Sequence, residues 1–335
     1  MQHNQRGTEM EVEESETSTF GRMAGQSLKN NVNFFDSKAK CKSLHNLAET
    51  PPKAVTTVSR TQCSQDIQHR LLDSAAGLKI LCDPFVHSDQ LLQLAFESSC
   101  DFVREYGKQW FSQNKEPVVL NILQGGRYYA LDRAINSVYG KTPTTVSLCA
   151  KRKYSPAEGK WKVNIFNEDL KKLEAMSESV SSIVIGDTIA TGTTLKGVID
   201  HVLRLGIVGS ETKIIVYSIA GTFDRLQWLD DYPNVSVVVS NVDLHLHDNG
   251  TDLQFGGKAR FTKKAREYVD DVLGREFSEN HVKCAIFDWG DRFRNPKEHL
   301  EEVLEYYESL RTFAEIFPLT TVAQLVSPEA RAMKK

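Results

Sequence analysis

Ser182-Ile183-Val184-Ile185-Gly186-Asp187-Thr188-Ile189-Ala190-Thr191-Gly192-Thr193-Thr194 decides the fold. The run Ile183–Ile185 is short, continuous and apolar, as a strand buried on both faces must be. It delivers one carboxylate, Asp187, and then a turn of small residues. Beyond the turn, Leu195, Val198, Ile199, Val202 and Leu203 recur at the spacing of one buried helix face. Gly206 stands where a left-handed residue would end that helix. Backbone N–H groups of Ala190 to Thr194 are expected to point into one concavity at the positive end of the helix. The hydroxyls of Thr191, Thr193 and Thr194 can donate to phosphate oxygens, and Gly192 allows close approach. A monophosphate fits such a cradle. The segment is neither a Walker A loop nor a dinucleotide fingerprint. A strand–turn–helix junction with a Thr cap and nothing bound is the other reading of the same residues.

Outward from this stretch, further apolar runs appear at Val118–Leu123, Val146–Cys149, Lys213–Ile219 and Val235–Val239, separated by helical patterns. A helix is expected from about Ser88, with Ser88 as its N-cap. A second carries Leu131, Ala134, Ile135 and Val138, and a third Ala265, Tyr268, Val269 and Val272. Strands alternating with helices predict an α/β fold, a mostly parallel twisted sheet flanked by helices. Ligands of such sheets sit beyond the carboxyl ends of the strands. The domain reading is a disordered acidic and polar extension over 1–61, a helical lead-in over 62–116, a core over 117–248, and an insertion with C-terminal helices over 249–335. The first of these carries Glu9, Glu11, Glu13, Glu14 and Glu16 among Ser and Thr, without periodicity.

Composition narrows the function class. A formal net charge of −3 draws the chain toward neither nucleic acid nor an anionic membrane. No apolar run approaches the roughly 20 residues of a membrane span. The six cysteines lack metal-binding spacing and read as reduced thiols, so a cytoplasmic protein acting on small molecules is expected. A homo-oligomer is left open.

Two other loops hold candidate residues. Gln124-Gly125-Gly126-Arg127 follows the run Val118–Leu123, and its glycines can take conformations closed to other residues and turn amides toward an anion. A plain strand-to-helix turn would use the same letters. Lys151-Arg152-Lys153-Tyr154 follows the next run and opens a loop through Ser155–Lys160; taken alone, it is a solvated charge run. Asp243, His245 and His247 would share one strand face, which suits either a metal site or a half-buried edge strand.

The segment around Asp187 resembles the phosphoribosyl-pyrophosphate motif of type I phosphoribosyltransferases. The resemblance implies that Ala190, Thr191, Gly192, Thr193 and Thr194 hold the 5-phosphate and that Asp187 faces the ribose. It places Gln124, Gly125, Gly126 and Arg127 on pyrophosphate. It makes Lys151, Arg152 and Lys153 part of a mobile hood, with Arg152 the preferred contact because its fork matches phosphate oxygens. Most family members carry two acids before the turn; here Gly186 stands in place of the first.

The later segments Ala220–Leu226, Tyr232–Val235, Asn241–Asp243 and Gly250 resemble uracil phosphoribosyltransferases in order and spacing. Asp288-Trp289-Gly290-Asp291-Arg292 is similar to a further motif of that branch, with Phe287 where the family has Gly. The resemblance gives Asp288 a catalytic role and a contact with Mg²⁺, and gives Trp289 and Gly290 the acceptor. It therefore implies transfer of a phosphoribosyl group to a base, a pyrimidine such as uracil above all, with Mg²⁺ as cofactor. Purine-salvage relatives have a carboxylate where Ala190 stands, so an acidic or readily tautomerised acceptor suits this chain. A regulator that binds the ligand without turning it over, and an enzyme of specialised metabolism with an unusual acceptor, remain alternatives.

Overall fold

Runs of β-branched residues build a sheet of eight strands: β1 (Thr56–Thr57), β2 (His69–Leu72), β3 (Glu116–Leu123), β4 (Thr144–Ser155), β5 (Lys160–Phe166), β6 (Val180–Gly186), β7 (Lys213–Ser218) and β8 (Val235–Ser240). The computed structural model describes residues 56–57 and, with interruptions, 69–305. Outside the described residues lie 1–55, 58–68, 84, 112–115, 124, 158, 167–168, 172, 174–178, 207–208, 210–211, 247–249, 251–252, 256–258, 273–288, 303–304 and 306–335. The expectations for Gln124, His247, Phe287 and Asp288, and for the extension 1–61 apart from Thr56–Thr57, therefore fall outside them. Everything described belongs to the unit 48–335.

Strand order is β1-β2-β8-β7-β6-β3-β4-β5. The strands from β2 to β4 in this order are parallel, and an antiparallel strand closes each edge. The expected α/β class, a mostly parallel sheet flanked by helices, is what the chain adopts. All five expected strands are present. Three more were not foreseen: the two-residue β1, in the segment read as a disordered extension, then β2 and β5. His69–Leu72 lies in the segment read as a helical lead-in; four residues are too few to show a period, and their pairing with β8 is remote in sequence. The third is β5. Residues Lys151 to Ser155 were expected to open a loop but continue β4, and Lys160–Phe166 returns antiparallel to it. Gly159, at φ 63°, helps close the turn between them.

The helices whose bounds are defined are α1 (Ala75–Cys82), α2 (Ser88–Tyr106), α3 (Leu131–Tyr139), α4 (Thr193–Arg204), α5 (Lys263–Val272) and α6 (Trp289–Arg294), and residues 296–302 are helical as well. Alternate residues of the sheet bury against different layers, as the period-two strand geometry requires. Ile183 and Ile185 pack with Leu195, Val198, Ile199 and Val202 of α4 on one face. Val184, Ile215 and Tyr217 pack with Leu91, Phe102, Leu131 and Ile135 of α2 and α3 on the other. Each such aliphatic side chain contributes about 1.5–3 kcal/mol on burial. Gly206 has φ 65°, the left-handed conformation expected at the end of α4. Ser88 departs from expectation. It opens α2 at φ 49° and its hydroxyl bonds His87 Nδ1 at 3.0 Å, while His87 occupies the cap position.

A third cluster stands over the carboxyl edge of the sheet. Leu78, Leu81 and Cys82 of α1 meet Val242, Leu244, Leu246, Leu253 and Phe255, together with Ala265 and Val269 of α5. This layer contains β9 (Val242–Asp243), β10 (His245–Leu246), β11 (Leu253–Gln254) and β12 (Arg260–Phe261), paired as β9 with β12 and β10 with β11. Asn241, at φ 60°, turns the chain out of β8 into it. The Asn241 amide donates to Ser74 O at 2.8 Å and its oxygen accepts from Ser74 N at 2.9 Å, which ties the layer to the end of β2.

The segment Trp289–Arg292, part of the motif whose resemblance assigns Trp289 and Gly290 to the acceptor, is helical in α6. Arg292 is buried, and its guanidinium donates to Val86 O at 2.9 Å, Ile80 O at 3.2 Å and Asp83 O at 3.0 Å. The cation thus satisfies carbonyls at and just beyond the negative end of α1. Arg292→Met is expected to cost about 2–4 kcal/mol, because it strands buried carbonyls. Urea denaturation measures it, and an unchanged midpoint would remove this role.

Candidate functional site

The turn after β6 takes its shape from neighbours that are distant in sequence. Ile189 N donates to Ala220 O at 3.1 Å and Thr222 N to Ile189 O at 3.0 Å, so the chain leaving the sheet is laced to the loop after β7. Gly192 then caps α4 at φ 69°. A β-carbon there would lie 2.5 Å from Leu226 Cδ2 and 3.3 Å from Trp228 Nε1, so glycine answers both a left-handed backbone and a close approach. Lys196 N donates to Gly192 O at 2.8 Å as the first helical bond. Within the turn, the Thr191 and Thr193 hydroxyls are 3.0 Å apart, and Thr193 N reaches Thr191 Oγ1 at 3.4 Å. The amides of Ala190, Thr191, Gly192 and Thr194 bond to nothing else among the described residues. Donors therefore gather at the positive end of a twelve-residue helix.

Asp187 sits immediately before this turn. Its carboxylate accepts from Thr188 N at 2.9 Å, and its own N–H donates to Tyr217 O at 3.1 Å. By surface the residue is half-buried, but surrounding atoms enclose the carboxylate, and this burial pushes its pKa up to about 7. The Thr188 amide and the charge of Arg152 oppose the shift only in part. An enclosed carboxylate with so little compensation is typical of a ligand site.

The missing acid at Gly186 has a structural cause. A β-carbon at 186 would lie 2.6 Å from Tyr129 Cγ and 2.7 Å from Tyr129 Cβ. Tyr129 is fully buried, packs edge-on to Tyr217, and its hydroxyl accepts from Ile219 N at 3.3 Å. Gly126 belongs to the same contact, since a β-carbon there would lie 2.9 Å from Gly186 O. This corrects the sequence reading of the two glycines. Gly125 has φ −69°, and Gly126 opens a 3-10 turn (Gly126–Tyr129) with no positive φ; what Gly126 supplies is space. The left-handed residue here is Ala130, at φ 48°. Tyr129 was not singled out from sequence, where nothing but its place after the glycines marks it. Arg127 is exposed and lies over the Tyr128 ring, 5.4 Å from its centroid.

Beyond Cys149, β4 has β5 as its strand partner and no longer pairs with β3, so the two form a ribbon. Directly paired residues of an antiparallel ladder share a face. Arg152 thus lies with Val163, and Tyr154 with Trp161. A β-carbon on Gly197 of α4 would come within 2.6 Å of Val163, so this face is turned toward α4. Lys151 and Lys153 take the opposite face, with Asn164 and Lys162 as their partners, and Lys151 Nζ lies 5.7 Å from the Phe166 centroid. Of the three basic residues, Arg152 is the one whose charge acts on Asp187. The ordered ribbon replaces the expected loop.

The layer over the carboxyl edge adds titratable groups. Asp243 is buried, accepts from Phe223 N at 2.7 Å and pairs with Arg260, whose Nε donates at 2.7 Å. Burial raises the Asp243 pKa to about 6, against the pull of Arg260. Asp243 is so engaged, and β9 and β10 belong to different two-stranded sheets, so Asp243 and His245 do not lie on one continuous strand; His247 lies outside the described residues. No group of three His, Cys, Asp or Glu side chains suited to a metal occurs among the described residues. His245 Nδ1 lies instead 3.3 Å from Asp224 Oδ2. Trp289 and Gly290 are placed in the backbone of α6.

No family model and no curated protein matches the chain. Several solved structures are similar in part, three of them as follows. A protein of Aquifex aeolicus is 16% identical, over 53% of this chain and 86% of that one, at a TM-score of 0.41. A purine phosphoribosyltransferase of Pyrococcus horikoshii is 19% identical over 45% and 85%, at 0.28. A hypoxanthine-guanine phosphoribosyl transferase of L. donovani is 16% identical over 47% and 86%, at 0.30. At such identities and TM-scores these likenesses decide neither substrate nor reaction, which rest on the side chains of the site.

Proposed function

We propose that this chain binds 5-phosphoribosyl 1-pyrophosphate and transfers its phosphoribosyl group to a nucleobase-like acceptor, releasing pyrophosphate. One observation carries the reading: the turn Ala190–Thr194 gathers four amides without partners among the described residues, and three hydroxyls, at the start of α4, shortly after the enclosed carboxylate of Asp187. A 5-phosphate would take these donors, and the ribose hydroxyls would meet Asp187.

The reaction is an in-line displacement at the anomeric carbon through an oxocarbenium-like state, so charge develops on departing pyrophosphate. Gly125, Gly126 and Arg127, with Gln124 beside them, would receive it next to the cradle. Arg152 faces it from the ribbon and stabilises the leaving charge; Lys151 and Lys153 reinforce the field from the outer face. Mg²⁺, which Asp187 and Asp288 would hold with the pyrophosphate, would neutralise further charge on the leaving group. The raised pKa of Asp187 fits such a role, since burial outweighs the charge of Arg152.

Uracil or a related pyrimidine is the favoured acceptor, because Ala190 offers no carboxylate to deprotonate a less acidic base. Trp289 and Gly290 would meet it from α6. A second reading, a regulator that binds the ligand without turnover, is favoured by Tyr129 filling the space of a second acid.

Calorimetry with 5-phosphoribosyl 1-pyrophosphate tests the cradle. Thr194→Val is expected to weaken binding by about 1–3 kcal/mol through a lost charge-assisted hydrogen bond, with little change in stability. Unchanged affinity would sink the assignment. Pyrophosphate release across a panel of bases then separates enzyme from regulator.

A further inference from the structure

The outer part of the β4–β5 ribbon carries side chains that phosphoribosyl transfer does not use. Among the described residues, the exposed large hydrophobic side chains are Tyr154, Trp161, Phe166 and Leu205, and all but Leu205 lie on this ribbon. Trp161 is 59% exposed and Tyr154 46%, directly paired across the ladder. Their rings meet edge to face with centroids 5.5 Å apart, so each props the other without covering it. Positive charge is as concentrated. In the segment 150–166, Lys151, Arg152, Lys153, Lys160 and Lys162 stand against Glu158 alone, although the whole chain has a net charge of −3. Lys153 is directly opposite Lys162, and Lys151 lies two residues back on the same face; all three are exposed. Like charges directly opposite destabilise a ladder, and an indole left in water forfeits its burial. Neither feature stabilises the ribbon by itself. Both suit a ligand that brings negative charge and flat rings.

We propose that this ribbon binds single-stranded nucleic acid, phosphates along Lys151, Lys153 and Lys162 and a base stacked on Trp161 and Tyr154. The inference goes beyond phosphoribosyl transfer and does not rest on it. β5 is the outermost strand of the sheet, so a polynucleotide laid along its free edge meets Lys162 on one face and Trp161 on the other. Arg152 lies two residues from Tyr154 on the aromatic face and adds a cation there. Successive lysines on one face of a strand are roughly 6.6 Å apart, a step that an extended polynucleotide backbone can match. Every base has a π-face, so the ribbon selects strandedness and not sequence. A lipid surface suits it less, because the turn Pro156–Gly159 holds no large apolar side chain to insert. A second copy of this chain, docked symmetrically, would set these lysines against its own.

The test is fluorescence anisotropy of a labelled oligonucleotide of about 12 residues with the full-length protein, between about 50 and about 200 mM salt. Single-stranded RNA and DNA should bind, more weakly as salt rises. An abasic oligonucleotide of the same length should bind at least about fivefold more weakly, because it keeps the phosphates and lacks the rings. Trp161→Ala should lose about tenfold in affinity for the natural oligonucleotide, and Tyr154→Ala less. Trp161→Phe should keep most of the affinity and lose the quenching of tryptophan emission that stacking on the indole produces. Lys162→Ala should lower the slope of log affinity against log salt by about 0.7. Wild-type urea midpoints for these exposed-site variants report an intact fold. Failure of the wild-type protein to bind at about 50 mM salt overturns the proposal. Equal affinity for abasic and natural oligonucleotides, unchanged by Trp161→Ala, also overturns it and leaves a plain polyanion patch. Binding to vesicles of phosphatidylcholine and phosphatidylserine, with none to oligonucleotides, overturns it in favour of a lipid surface. Each of these results leaves the phosphoribosyl-transfer reading as it stood.

Discussion

Gly186→Asp is expected to destabilise the protein by about 3 kcal/mol or more, although it restores the two-acid pattern of the family the segment resembles. The new β-carbon would enter the Tyr129 ring, 2.6 Å from Cγ. That ring is held by Tyr217 edge-on and by the Ile219 amide, so it has no free rotamer to move into. Gly126, against the 186 carbonyl, blocks the backbone from yielding. The carboxylate itself would be buried beside Asp187, and two enclosed acids would raise each other's pKa. Chemical denaturation measures the loss, and a wild-type midpoint would show that the Gly186–Tyr129 contact is not tight. Adding Tyr129→Ala opens the space, so the double variant should cost clearly less than the sum of the single ones.

The second large effect belongs to Asp187→Asn, and its two readouts move in opposite directions. The pKa of Asp187 is raised from the usual 3.8 to about 7 in the folded protein. The folded state therefore binds the proton more tightly than the unfolded chain, and stability falls as pH rises between those values. Asn escapes that cost. The variant should equal the wild type in stability below about pH 4 and exceed it above about pH 7, by about 1–2 kcal/mol once partial solvent access is allowed for. Turnover should fall about 100-fold or more, because the ribose contact loses its charge. Urea titrations at several pH values check the first readout. A variant destabilised at pH 8 would mean that Asp187 is held by a structural partner. Lost stability in a site that gains ligand affinity is the trade-off expected of a functional carboxylate.

Much of this was legible in the chain. Ile183–Ile185, the turn and the Leu195–Val202 face are local patterns, and the structure places them as strand, helix N-terminus and buried stripe. Local periodicity could not reveal β2, because four residues carry no period and their partner is β8. Nor could it separate Arg152 from Lys151 and Lys153. All three read as one charge run, and only the pairing with β5 sends them to opposite faces.

The amino-acid sequence by itself determined the alternation of strands and helices, the small-residue turn before α4 and the single carboxylate at its entrance. Each depends on residues within a few positions of one another, whose φ/ψ preferences and burial periodicity act along the chain. The tertiary structure alone decided why Gly186 is glycine, which basic residue faces Asp187, what Arg292 holds and which side chain meets His245. Those answers depend on contacts between Tyr129 and β6, between β4 and β5, between α6 and α1, and between Asp224 and β10. Such contacts form when distant segments are packed to near-crystalline density, so space and charge at one residue are set by another that the sequence places far away.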